Sequence, residues 1–260
     1  MYRENHLKAK LTRGEKGVGC WLLSSDAVVA EVLSQAGFDA FIICHEHAWG
    51  DAGTLLAQLH GAQASPTTCL VRVPSNDKVY IKRVLDVGVE GIVIPTVETA
   101  DEARAAVAAC RYPPEGARGV GYPFSRAADY GLREKQYPLE AHEQIMVIPI
   151  IESLPGFENL AEIVAVPGVD MVILGPGDLG ASLGRYDFWE DPEILRVIAE
   201  GEKIVRDSDC WMAGVARNAR GAAELFERGY DFCTSAIDVW LLRDGAHAAI
   251  EPLRGGGTVR

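Results

Sequence analysis

Two carboxylates follow strand-like runs: Glu152 comes directly after residues 146–151, and Asp178 shortly after residues 169–174. Both runs have the length and β-branched content of buried parallel strands. If a helix joins them, the two strand ends share one sheet edge, and Glu152 and Asp178 converge there as ligands for a hard divalent cation. Other strand ends carry polar groups as well: Glu46 and His47 follow a second run, and Arg72 closes a third. A base, a fixed cation and a metal-binding pair would then share one rim. Taken singly, each has a structural reading: Arg72 as an ion pair, Glu152 and Asp178 as helix caps, His47 as a packed loop residue. Their joint placement argues for chemistry.

The positioning elements repeat through the chain. Apolar runs at 18–23, 38–43, 68–72, 91–94, 146–151, 169–174, 211–215 and 230–234 alternate with helix-like stretches. These helices are expected over 26–35, 55–63, 78–86, 100–109, 160–165, 191–206, 219–228 and 239–250. Ser24 or Ser25 is the expected cap of the first, Thr99 and Glu102 form a capping-box pattern, and Asp191-Pro192 reads as a cap with proline at the first helical position. Eight strand–helix units without a composition break predict one domain over 1–260, a single (β/α)₈ TIM barrel of the α/β class. A doubly wound sheet is disfavoured because Ser24-Ser25-Asp26, and no Gly-rich phosphate loop, follows the first strand. Residues 111–139 interrupt the pattern, and a loop of that length is expected to be functional or to lie at a subunit contact.

Composition narrows the partners. With 260 residues, 48% of them apolar, and a net charge of −12, the chain suits a large core and disfavours nucleic acid or an anionic membrane surface. No apolar run approaches the roughly 20 residues of a membrane span. The polar, basic segment 1–13 has no secretory core, so a cytoplasmic setting is expected; the tail 254–260 is expected to be flexible. Six cysteines without a Cys-x-x-Cys pair argue against structural zinc and a disulfide framework.

Five motifs carry a resemblance: His45-Glu46-His47-Ala48, Val71-Arg72-Val73-Pro74, Arg118-Gly119-Val120-Gly121, Ile151-Glu152-Ser153 and Gly175-Pro176-Gly177-Asp178-Leu179. In order and spacing, over residues 14–250, the chain resembles the HpcH/HpaI aldolases, the metal-dependent class II pyruvate aldolases of the phosphoenolpyruvate/pyruvate-binding barrel superfamily. The resemblance implies reversible aldol cleavage of 4-hydroxy-2-oxo acids, with pyruvate or hydroxypyruvate as enolate donor and an aldehyde as acceptor. It implies a divalent ion (Mg²⁺, Mn²⁺ or Co²⁺) on Glu152 and Asp178, with Arg72 stabilising the oxyanion and His47 as base. Gly177 and Asp178 join Arg72 in binding substrate, Asp86 raises the basicity of the histidine, and the subunits form a homo-oligomer, a hexamer by resemblance. Because a barrel helix ends on the face opposite the rim, Asp86 can serve His47 only if its helix ends differently or if it comes from a neighbouring subunit.

Two positions depart from the family pattern. Cys44 replaces an acidic residue two positions before the Glu-His pair, and Ile150 replaces a glutamine that contacts the 2-oxo acid. The metal chemistry is expected to survive both changes; the substrate pocket is expected to differ. An acyl-CoA lyase, with Arg118, Arg126 and Arg133 as phosphate contacts, and a non-catalytic 2-oxo acid-binding barrel are the alternatives. A His45-x-His47 zinc pair lacks further histidines at later strand ends, and no lysine falls at a strand end to serve as a Schiff-base nucleophile.

Overall fold

The structure is a computed structural model describing residues 3–254. Its strands are β1 (Gly17–Leu22), β2 (Ala40–Cys44), β3 (Thr68–Arg72), β4 (Gly91–Ile94), β5 (Met146–Ile151), β6 (Met171–Leu174), β7 (Trp211–Val215) and β8 (Phe232–Ile237). They pair in parallel in chain order, and β8 closes on β1. The helices are α1 (His6–Thr12), α2 (Ala27–Ser34), α3 (Ala52–Gly61), α4 (Lys78–Val87), α5 (Ala100–Cys110) and α6 (Tyr137–Gln144), then α7 (Leu154–Glu158), α8 (Leu160–Val164), α9 (Pro176–Ser182), α10 (Pro192–Arg206), α11 (Ala219–Glu227) and α12 (Asp238–Ile250). This is the expected (β/α)₈ barrel.

Strand alternation divides the core. Inward residues such as Trp21, Ile42, Cys44, Leu70, Ile148 and Ile150 fill the barrel, while Phe41, Ile43, Val71 and Ile151 pack outward against the helices. Acidic and hydroxyl caps start several helices: Asp26 on α2, Asp51 on α3, Asp77 on α4, Thr99 with Glu102 on α5, and Asp191 before Pro192 on α10. The cap of α2 is therefore Asp26, not Ser24 or Ser25, because its carboxylate accepts the N–H groups of both Val28 and Val29.

Three local expectations change. Segment 1–13 is not simply polar: Leu7 and Leu11, one turn apart on α1, are buried in the same cluster as the barrel interior. The interruption at 111–139 contains a 3₁₀ turn at Arg126–Gly131 and the start of α6. Helix α9 forms directly after β6, ahead of the expected helix at 191–206, because Pro176 can take the first helical position. All six cysteines are free and buried. Among the described residues no helix is long and apolar enough to cross a membrane. Apart from Arg254, the tail 254–260 lies outside the described residues.

Candidate active site

Glu152 follows β5 and is 6% exposed. Its Oε1 accepts the Thr96 N–H at 2.8 Å and the Thr96 hydroxyl at 3.2 Å. Thr96 achieves this from φ 49°, a left-handed conformation that a β-branched residue rarely adopts and that is typical of strain held at a functional site. Gly175 allows the carboxylate its place, since a Cβ there would stand 2.9 Å from the Glu152 Cβ. Asp178 projects from the first turn of α9.

Burial raises the Glu152 carboxyl to about 7, and the negative charges of Asp178 and Glu46 push the same way, against the Thr96 hydrogen bond. A carboxylate held in this state gains most from a divalent cation, so the donor set fits one. Among the described residues no cluster of three or more His, Cys, Asp or Glu gathers as a metal site. A pair of carboxylates suits an ion that keeps several water or substrate oxygens. Thr96 was not legible as a site residue; Pro95-Thr96 directly after the fourth strand was the available signal. Thr96→Ala, which removes one bond orienting a ligand, is expected to weaken Mg²⁺ binding by about tenfold or more. Isothermal titration calorimetry checks this; unaltered affinity would deny Thr96 that part.

Arg72 ends β3 on the inner side of the barrel. Its Nη1 is 3.0 Å from Glu46 Oε2, its Nη2 donates to Cys44 Sγ at 3.2 Å, and its guanidinium lies 4.6 Å over the Trp21 ring. Trp21 is itself fixed, its indole N–H donating to the Thr234 hydroxyl at 2.9 Å. Arg72 Nε is buried and has no acceptor among the described residues, leaving a donor for a substrate oxygen. Glu46 joins the two halves of the site: it pairs with Arg72, acts electrostatically on Glu152, and lies 3.5 Å from His47 Nε2. His47 itself is exposed on the β2–α3 loop. His45 takes another path: its Nδ1 meets the Tyr80 hydroxyl at 2.8 Å and its ring is buried, so it shares no site with His47. Burial lowers its basicity.

Gly177 precedes Asp178 in the first turn of α9. Asp86 is the exception. It lies near the end of α4, on the face opposite the rim, where Arg118 Nη2 holds it at 2.8 Å. Arg118 is itself buried between the rings of Tyr112 and Tyr137. Within one chain Asp86 therefore does not reach His47, and the helix ends where a barrel requires. Ile150 faces the barrel interior beside Glu152, its Cγ2 3.3 Å from the Cβ position of Gly175. Cys44 also faces inward and serves as a sulfur acceptor for Arg72.

Comparison with known proteins gives the arrangement a family. Residues 17–245 match the HpcH/HpaI aldolase/citrate lyase family. A 4-hydroxy-2-oxo-heptane-1,7-dioate aldolase of Escherichia coli is 38% identical over 245 residues, 94% of this chain and 93% of that protein. A hydroxypyruvate/pyruvate aldolase of Roseobacter denitrificans is 37% identical over 239 residues, 92% of this chain and 93% of its own length. The crystal structure of a HpcH/HpaI aldolase/citrate lyase family protein from Burkholderia cenocepacia J2315 superposes with a TM-score of 0.91 at 34% identity, covering 96% of this chain and 99% of that one. Closed barrel, rim chemistry and these matches agree: the chain belongs to the HpcH/HpaI aldolase/citrate lyase family.

Proposed function

We propose that this carbon–carbon lyase is a divalent-metal-dependent aldolase that reversibly cleaves 4-hydroxy-2-oxo acids, with pyruvate or hydroxypyruvate as donor and an aldehyde as acceptor. The observation that carries this reading is the buried Glu152 beside Asp178, linked through Glu46 to Arg72 and His47. Glu152 and Asp178 would hold Mg²⁺, Mn²⁺ or Co²⁺, which when bound supplies Lewis-acid polarisation of the 2-oxo group. Arg72 offers fixed donors to the negative charge that gathers on the ketone oxygen as the methyl group loses a proton. His47 accepts that proton and, after the carbon–carbon bond forms, returns it to the new alkoxide. The backbone of Gly177 helps to hold the substrate carboxylate.

Self-association fits the surface. Trp240, Leu241 and Leu242 on α12 and Leu253 beyond it are exposed, apolar side chains that a subunit contact would cover. In a homo-oligomer, a hexamer by family likeness, Asp86 would serve the His47 of a neighbouring copy. Six buried free thiols fit a reducing, cytoplasmic setting. The arginines that an acyl-CoA lyase would turn to the phosphates are engaged elsewhere: Arg118 is tied to Asp86, Arg126 donates to the Val87 carbonyl, and Arg133 is near Glu140.

Exchange of the pyruvate methyl protons in deuterium oxide tests the half-reaction directly. It is expected to vanish with a chelator and return with Mg²⁺. His47→Ala should slow it by about 10²- to 10⁴-fold while Mg²⁺ still binds. Full exchange after exhaustive metal removal would overturn metal dependence, and normal exchange in the variant would place the base elsewhere.

A further inference from the structure

Strand β2 ends at Cys44, whose side chain faces the barrel interior; His45, next in line, turns its ring outward to α4. From here to Asp51, the cap of α3, runs the loop that carries Glu46 and His47. Among the described residues, residues 46–50 make no backbone–backbone hydrogen bond, and Trp49 stands exposed at the tip. Such a stretch keeps one shape only where side chains fix it.

Two side chains do so, one on each side. On the inner side, Cys44 Sγ accepts the His47 N–H at 3.3 Å and Arg72 Nη2 at 3.2 Å. Sulfur is a weak acceptor, so this hold is soft. On the outer side stands the buried ring of His45. Its backbone N–H donates to the Arg72 carbonyl at 2.8 Å, which ties the foot of the loop to the strand end that bears Arg72. Its Nδ1 meets the Tyr80 hydroxyl at 2.8 Å, with the two rings edge to face at 80°. The other edge of the ring touches the far end of the loop. A Cβ on Gly50 would stand 3.0 Å from both Cδ2 and Nε2 of His45, and 2.9 Å from Ser25 Oγ. Gly50 is thus clamped between Ser25 and His45, an approach open only to a residue without a side chain. A buried histidine against a helix is ordinarily a packed residue. His45 differs because it touches both ends of one loop, and between those ends stand the partner of Arg72 and the base.

We propose that the His45–Tyr80 pair is the outer anchor of this loop and that His45 is a positioning residue, setting where the His47 imidazole stands relative to Arg72. The inference rests on His47 as the base and adds to that reading the groups that hold it in place. The coupling runs through the loop itself: a ring that shifts carries Gly50 with it on one side and Glu46 and His47 on the other. A misplacement of about 1 Å costs on the order of 10²-fold in rate. Substrate and metal, held from other strands, should still bind.

The test uses the full Mg²⁺-loaded chain and exchange of the pyruvate methyl protons in deuterium oxide. Tyr80→Phe removes one hydroxyl from the anchor. It is expected to lower the kcat of exchange by about tenfold and leave pyruvate KM and Mg²⁺ affinity within about twofold of the wild type. His45→Phe keeps a ring without a partner for Tyr80 and should lose as much, and Tyr80→Phe added to it should cost nothing further. His45→Asn, whose amide puts a polar atom near the place of Nδ1, should recover most of the rate. Normal exchange in Tyr80→Phe, additive losses in the double variant, or a loss shared by KM and Mg²⁺ affinity overturns the proposal. The loop is also read without turnover, by fluorine NMR of metal-free protein labelled with fluorotryptophan. The Trp49 resonance, assigned by its loss in Trp49→Phe, should shift or broaden in Tyr80→Phe. Exchange by the wild type and by His47→Ala reports separately on the aldolase reading and on the base. If those fail, the fluorine signal still decides the anchor, and an unchanged Trp49 resonance in Tyr80→Phe overturns it.

Discussion

Glu152→Gln is expected to abolish metal-dependent turnover, lowering kcat/KM by at least about 10³-fold, while stabilising the metal-free protein at neutral and higher pH. Both effects come from one cause. The carboxyl is raised from 4.5 to about 7, first by burial and then by Asp178 and Glu46. Between those two pH values the folded protein binds more protons than the unfolded chain, so stability falls as pH rises. The group's contribution is fully present below about pH 4.5 and gone above about pH 7, a loss of up to ~3 kcal/mol. An amide of the same shape keeps an oxygen for the Thr96 N–H but carries no charge to desolvate. Thermal melts of metal-free protein should therefore fall across this window for the wild type and change less for the variant. Added Mg²⁺ should raise the wild-type melting temperature more at about pH 8 than at about pH 5 and leave the variant unmoved. A variant still activated by Mg²⁺ would contradict the assignment of Glu152 as a metal ligand, and a melt that depends on pH as strongly in the variant as in the wild type would contradict its raised carboxyl.

The barrel was legible because its strands are buried on both faces, so each reads as a continuous apolar run, and because caps such as Asp191 before Pro192 mark helix starts. The strand-end positions of Glu152, Arg72, His47 and Asp178 were legible because they follow from those runs, and strand ends are where barrel chemistry gathers. What escaped depends on backbone conformation and on contacts distant in sequence. Thr96 holds Glu152 from 56 residues away and needs φ 49° to do so, which no apolar period reveals. Leu7 and Leu11 lie in a short charged segment where two leucines make a weak pattern, yet both are buried with the barrel interior. Asp86 shows the opposite limit. Its motif carried a role, but one chain places it against Arg118 and away from the rim, so that role depends on a second copy.

Arg72→Lys is expected to lower kcat by about 10²- to 10³-fold, as loss of a fixed oxyanion donor does, while pyruvate KM and Mg²⁺ affinity change little. Lysine keeps the charge near Glu46 but loses the planar fork that reaches Glu46 and Cys44 while lying over Trp21. It also has no counterpart to the buried Nε donor. Arg72→Met separates charge from geometry. It leaves Glu46 without its cation, and Glu46 already pushes the Glu152 carboxyl upward. In Arg72→Met the pH at which Mg²⁺ binds half-maximally should move up, because Glu152 must ionise beside an uncompensated neighbour; in Arg72→Lys it should stay near the wild-type value. The lysine variant thus tests the oriented donors and the methionine variant the charge. A lysine variant that turns over within about threefold of the wild type would make Arg72 a structural ion pair, since a role in the transition state requires the larger loss.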